Sequence, residues 1–374
     1  MEIKRAQPIM ENLFRFLILL FILVFPACLG AEIQVEIAVP QLRDGMEELE
    51  ALLAENIGDA AVEIENLVNN FLEKPEFTRA FGSAVSMSAT LPMLGTQPLA
   101  STYSFSLGAY ASLYSYTLDV QLISDRLSEL NPEEDFEFGG SARLINGSFT
   151  FPLEKVLPRL SLFASIGYSD VKSEDYYLKD FFLQTALGYA VFKDLGREDR
   201  LSWTPVYIQG GGAYGFHDVG TNIPVGEIIR EFEADPDGNG PLPPQDVSIL
   251  LDPVLDIGMR SNIGCFSFSA TTGVSLFNSF HFYLGAGCNL SFGRTDILLS
   301  GDNEVTVLGY LGDLVDVPGS ISVDGSVEGS SPRPFLGYFF TGIQFDISRM
   351  FINIPILILP GKGLSSGISL GVSL

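Results

Sequence analysis

Residues 101–116 read STYSFSLGAYASLYSY, and the pattern they carry decides the fold. Phe105, Leu107, Ala109, Ala111 and Leu113 alternate with Ser104, Ser106, Gly108, Tyr110, Ser112 and Tyr114. A period of two sends successive side chains to opposite faces of a strand, here one apolar and one polar. A water-soluble sheet buries the apolar face, whereas a membrane barrel turns it out to lipid.

The same period holds from residue 83 to residue 374. SAVSMSATLPM (83–93) sets Val85, Met87, Ala89 and Leu91 on one face, and FEFGGSARL (136–144) does so with Phe136, Phe138, Ala142 and Leu144. Further strands are read at 160–169, 180–192, 201–217, 247–260, 264–276 and 280–292. Hairpin partners must agree on which face is apolar. A loop at 277–279 pairs Leu276 with Phe280, Val274 with Phe282 and Phe268 with Cys288, and the faces match. A turn at Ser348-Arg349 pairs Ile347 with Met350, Phe345 with Ile352 and Ile343 with Ile354. Cys265 and Cys288 then lie on opposite faces, and no disulfide is expected. With strands divided in this way, residues 301–332 fall outside the cell and 218–246 on the periplasmic side, where turns are normally short.

The polar faces carry Ser, Gly, Thr, Tyr, Asn and Gln with few charges, and the charges crowd into 118–135, 170–175, 193–200, 218–246 and 301–325. The solvent face of a soluble sheet would carry Lys, Glu, Asp and Arg instead. The expected fold is therefore all-β: a closed antiparallel transmembrane β-barrel of about twelve strands (10–14) over residues 83–374. Phe105, Leu107 and Leu113 face lipid, and Ser104, Ser106 and Tyr110 face the lumen. Glu137, Arg143, Asp252, Asp256, Arg260, Gln344 and Asp346 are the candidate lumen-lining polar residues, either as solute contacts or as structural pairs.

Ahead of the strands, Lys4, Arg5 and Arg15 precede an apolar core, FLILLFILVFPACLGA, with small residues at its exit. Residues 1–31 thus read as a secretory signal peptide; Cys28 offers an alternative lipidation site. Formal net charge is −25 for the chain, which argues against nucleic acid as a partner. Residues 32–82 form an acidic helical segment. Leu42, Met46, Leu49, Leu53, Ile57, Ala60, Ile64, Leu67 and Phe71 recur at spacings of three and four, with Gly45 and Gly58 interrupting. Such a seam needs a partner surface: the barrel interior, a second copy of the chain in a homo-oligomer, a periplasmic partner, or its own domain.

Chemistry is sparse. His217 and His281 are the only histidines, no serine–acid spacing around them marks a catalytic triad, and no enzyme is expected. His281 falls on a polar face beside a hairpin, as a lumen-rim residue. DPDGNGPLPPQD (235–246) puts Asp235, Asp237, Asn239 and Asp246 at calcium-loop positions. Against calcium stand Asp in place of the bidentate Glu and three prolines; Asp, Pro and Gly also make ordinary turns. No other cofactor is implied.

The export signal, the serial strands and the terminal GISLGVSL together resemble Gram-negative outer-membrane β-barrels, although Leu374 stands where that class often has an aromatic. An acidic helix followed by FTRAFGSAVSMSATLP is also similar to barrels of spirochaetes and Bacteroidota, and to hydrophobic-compound transporters with an N-terminal hatch. The resemblance implies residence in the outer membrane, contact with its lipid and insertion by the barrel assembly machinery. The leading expectation is a porin-like pore or passive transport route for small solutes. The alternatives are a non-conducting surface barrel whose loops bind a partner, and a soluble periplasmic β-protein.

Overall fold

The structure, a computed structural model, describes residues 32–42, 47–72, 75–94, 102–115, 138–173, 176–191, 195–198, 201–224, 228–234, 245–277 and 279–374. The signal-peptide segment 1–31, with Cys28, lies outside them. The described chain begins with β1 (Glu32–Ala38), β2 (Gln41–Leu42), the helices α1 (Glu47–Leu72) and α2 (Pro75–Thr90), and a 3-10 turn at Leu91–Met93. Next come β3 (Ser104–Ser115), β4 (Phe138–Pro152), β5 (Leu160–Lys172), β6 (Tyr176–Ala190), β7 (Leu195–Glu198) and β8 (Leu201–Pro224). β9 (Ile228–Ala234), β10 (Gln245–Leu251), β11 (Val254–Leu276) and β12 (Phe280–Gly309) follow. The last strands are β13 (Val315–Val317), β14 (Gly319–Val327), β15 (Phe335–Ile347), β16 (Met350–Leu359) and β17 (Gly363–Ser373).

Among the described residues, ten antiparallel strands close a ring in the order β3-β4-β5-β6-β8-β11-β12-β15-β16-β17, with β17 returning to β3. Closure leaves no sheet edge, which lipid demands because no water is there to satisfy backbone groups. Both expected hairpins form in the expected register: Leu276 faces Phe280 and Phe268 faces Cys288, while Ile347 faces Met350 and Ile343 faces Ile354. Cys265 and Cys288 are both free, the first buried and the second half-buried on the opposite face. On β3, Leu107 is exposed on the outer wall, and Tyr110 and Ser104 are buried inside.

β12 shows where the membrane ends. Its outward residues are Phe280, Phe282, Leu284, Ala286, Cys288, Leu290 and Phe292, then Arg294, Asp296, Leu298, Ser300, Asp302 and Glu304. The apolar part covers about 40 Å of strand at ~3.3 Å per residue, or roughly 28 Å of height at a ~45° tilt. That matches the ~25 Å apolar band of an outer-membrane barrel. Its inward face changes in the opposite sense, from Asn289, Ser291 and Thr295 to Ile297, Leu299, Val305 and Val307. Gly293, at φ 120°, sits at the changeover; a Cβ there would lie 2.0 Å from the Asn262 carbonyl oxygen.

Beyond the band the sheet continues as β1-β14-β12-β10-β9. The apolar seam of α1 packs on its inner face: Leu53, Ile57, Ala60 and Ile64 bury against Ile249, Leu251, Ile297, Leu299, Val305, Val307, Ile321 and Val323. Each fully buried Leu or Ile contributes about 1.5–3 kcal/mol, so this cap has a core of its own. The partner surface that α1 needs is thus supplied by its own chain.

Three expectations are corrected. Residues 83–93 are not the first strand: 75–90 is the helix α2, and the barrel begins at Ser104. Alternating Ser with Ala, Val and Met mimics a strand, but every residue from 80 to 94 is buried, so no face needed to be polar. Segments 247–260 and 264–276 are not two strands; β11 runs unbroken from Val254 to Leu276 and β10 lies apart in the cap. That removes one crossing, so the 225–253 and 310–334 connections lie at the same end of the barrel, and 218–246 is not at the short-turn end. Thirdly, Asp252, Asp256 and Arg260 do not line the lumen. All three are exposed, with Asp256 and Arg260 on the outer wall of β11 above the apolar band, where the inward face is the aliphatic one.

Candidate functional site

The lumen is the one place where polar side chains converge inside the ring, and α2 fills it. Pro75 at the first helical position and Glu76 in the first turn favour a helix start here. Small residues let the helix approach the wall closely: a Cβ on Gly139 of β4 would fall 2.2 Å from the Phe81 backbone nitrogen. The helix hydroxyls pair with wall hydroxyls, Ser86 with Ser291 at 2.6 Å, Ser88 with Ser141 at 3.2 Å and Thr90 with Ser267 at 3.3 Å. Asn289 donates to Thr90 Oγ1 at 2.6 Å, and Asn353 donates to the Leu94 carbonyl at 3.3 Å.

These contacts also give direction. Thr78 accepts from the backbone of Ser330 near the long-loop end, and Leu94 meets Asn353, which lies toward the short-turn end. Between these two ends Ala84, Met87, Leu91, Met93 and Leu94 form one core with Tyr110, Tyr114, Phe163, Tyr283, Phe340 and Leu357 from the wall. The helix therefore traverses the ring from the cap side to the side where β3 starts.

Of the candidate lumen residues, Arg143, Gln344 and Asp346 do face inward. Arg143 and Gln344 are buried, whereas Asp346 is partly open at the rim. Glu137 lies outside the described residues. Arg143 belongs to a sealed cluster: its Nε is 3.6 Å from Asp180 Oδ1, and its guanidinium lies 3.9 Å over the Phe182 ring. His217 Nδ1 approaches the same Asp180 oxygen at 3.1 Å. A carboxylate only accepts, so Nδ1 carries the proton. Phe81 of α2 covers the imidazole, with ring centroids 5.5 Å apart. Asp180 and His217 are lumen residues that strand alternation alone did not single out.

A second cluster sits at the short-turn rim. Ser275 and His281 are direct cross-strand partners on β11 and β12. Ser275 Oγ lies 2.6 Å from His281 Nδ1, and His281 Nε2 lies 2.7 Å from Asp346 Oδ2. Gln344 donates to Asp346 Oδ1 at 2.7 Å. His281 is thus the lumen-rim residue expected, with a serine on one ring nitrogen and a carboxylate on the other.

For the calcium reading, Asp235, Asp237 and Asn239 lie outside the described residues. Asp246 is on β10, opposite Glu233 of β9, so strands and not helices flank the segment. Among the described residues no group of three or more His, Cys, Asp or Glu side chains is placed to hold a metal ion.

The closed ring, the apolar outer wall and the polar filled lumen define a transmembrane β-barrel of the outer-membrane type. A family model described as Lsa36-like matches residues 214–374, which spans β8 from Tyr214 through β17. No curated protein matches the chain. Among solved structures, the translocator domain of autotransporter NalP from Neisseria meningitidis aligns at 7% identity, covering 78% of this chain and 99% of that one, with a TM-score of 0.28. The Ralstonia pickettii toluene transporter TbuX aligns at 9% identity over 79% and 96% of the two chains, TM-score 0.23. A Pseudomonas aeruginosa FadL homologue aligns at 9% identity over 79% and 97%, TM-score 0.19.

Proposed function

We propose that this chain is an outer-membrane barrel that keeps its own lumen closed and presents a folded cap outside the cell. It works as a non-conducting surface barrel whose cap and long loops meet a partner, in preference to an open porin. The observation that carries this reading is the unbroken burial of residues 80–94 inside the ring.

Orientation follows from turn length. One end of the barrel has connections at 153–159, 191–200, 277–279 and 348–349; the other has short turns at 173–175 and 360–362 and the three longest connections, 116–137, 225–253 and 310–334. Barrels of this type keep short turns in the periplasm and long loops outside. The cap, which grows from the long-loop end, is then extracellular. One observation favours the transport alternative: three of the α2–wall contacts are hydroxyl pairs, which water can replace if the helix leaves.

The test is conductance in planar bilayers, with heat-modifiable gel mobility as the check that each barrel is folded. The full chain is expected to be silent, and deletion of residues 75–94 to open steps of conductance. Steady channels from the full chain would overturn the closed reading and restore the pore.

A further inference from the structure

The geometry points to a serine-hydrolase site at the periplasmic rim of the lumen, formed by Ser275, His281 and Asp346 and acting on short-chain carboxylic esters. The three residues come from three adjacent strands, β11, β12 and β15, and all face inward. With Asp346 ionised and His281 neutral, their hydrogen bonds allow one proton arrangement. Asp346 as a carboxylate only accepts, so His281 Nε2 bears the proton it shares over 2.7 Å. Nδ1 then keeps its lone pair, and the Ser275 hydroxyl donates to it over 2.6 Å. That is a nucleophile bonded to a general base, with the base held by a carboxylate, which is the signature of an activated serine. The ring nitrogens exchange the roles they have in the familiar protease triad, and either imidazole nitrogen serves as a base. Gln344 holds the second Asp346 oxygen at 2.7 Å and so fixes the carboxylate.

Accessibility separates this cluster from the sealed one. Arg143 and Asp180 have side chains at 0% exposure, whereas His281 and Asp346 stand at 13% and 26%. Ser275 itself is 5% exposed, so an ester would approach it past His281 and Asp346 from the short-turn side. Deeper entry is blocked by the packed layer of Tyr283, Phe340 and Leu357 against α2, which favours a short acyl chain.

In the reaction Ser275 Oγ bonds to the acyl carbon while its proton passes to His281 Nδ1. The acyl C–O bond to the leaving group breaks, and the alkoxide departs as an alcohol with that proton. Water then adds to the acyl carbon and gives a proton to Nδ1. The acyl–Oγ bond breaks, the proton returns to Ser275, and the free carboxylic acid is released. Ser275 and His281 are the catalytic residues; Asp346 and Gln344 are positioning residues. The site stands whether or not the barrel conducts.

The refolded full-length barrel, checked by heat-modifiable mobility, is treated with a fluorophosphonate probe and assayed with p-nitrophenyl butyrate. One label per chain is expected, on Ser275 by peptide mass spectrometry. Ser275→Ala should lose both label and hydrolysis, and His281→Gln should lower hydrolysis by about 10²–10⁴-fold. Asp346→Asn should lower kcat with KM unchanged, and Asp346→Glu should recover part of the loss. A folded barrel that takes no label, or a Ser275→Ala barrel that hydrolyses as before, would overturn the proposal.

Discussion

At the scale of single residues, the lumen sorts its ionisable groups by what they touch. Asp180 is fully buried between Arg143 and His217, and among the described residues it is the carboxylate paired with that guanidinium. A buried pair contributes little net stability against an apolar replacement, yet removing one partner strands the other charge, at about 3–5 kcal/mol. We expect Asp180→Ala to lower the unfolding free energy, read from urea titration in detergent, by an amount of that order, and Arg143→Met with Asp180→Leu to recover most of it. A double-variant loss equal to the sum of the losses from Arg143→Met and Asp180→Leu alone would mean the pair is not coupled. Half of the rim cluster was legible in the sequence. Pairing Leu276 with Phe280 already sets Ser275 opposite His281, whereas Asp346 reaches His281 only because β15 closes onto β12, a contact between strands distant in the chain. Arg260 shows the reverse failure. Its polar face points to the lumen in the sequence, but it lies outward and bonds Asp218 at 2.9 Å, above the band where inside and outside exchange character.

At the scale of elements, the cap and the barrel hold separate cores. The seam of α1 is buried in the cap sheet, and the lumen core around Met87 and Leu91 is built from α2, its 3-10 turn and the wall. Leu53→Ala with Ile57→Ala removes two fully buried side chains at roughly 2–5 kcal/mol each. The expected outcome is rapid proteolysis of residues 32–72 with heat-modifiable mobility of the barrel retained; loss of both together would show one cooperative unit. Hairpins were readable because both strands had to agree on an apolar face. α2 was not, since a helix buried on all sides carries no amphipathic stripe, and its serines alternate with apolar residues as a strand's would. The usable signal was Pro75-Glu76, a helix-start pair placed before the run.

At the scale of the whole molecule, an even number of strands puts the start of β3 and the end of β17 at one end and the cap at the other. The chain between cap and β3 must then cross the ring, and α2 is that crossing. Fold class was legible because lipid outside and polar groups inside impose one period on every strand. The cap was not, because there the same strands bury their inner face and wet their outer one. The central claim, that the barrel closes around its own N-terminal helix, is tested most directly by crosslinking. Ser86 and Ser291 place their hydroxyl oxygens 2.6 Å apart across the helix–wall contact, close enough for a disulfide once both are cysteine. In a chain with Cys265 and Cys288 replaced by serine, Ser86→Cys with Ser291→Cys is expected to oxidise to one species with shifted non-reducing mobility and no free thiol. Two thiols that remain open to maleimide in the folded barrel would contradict the account.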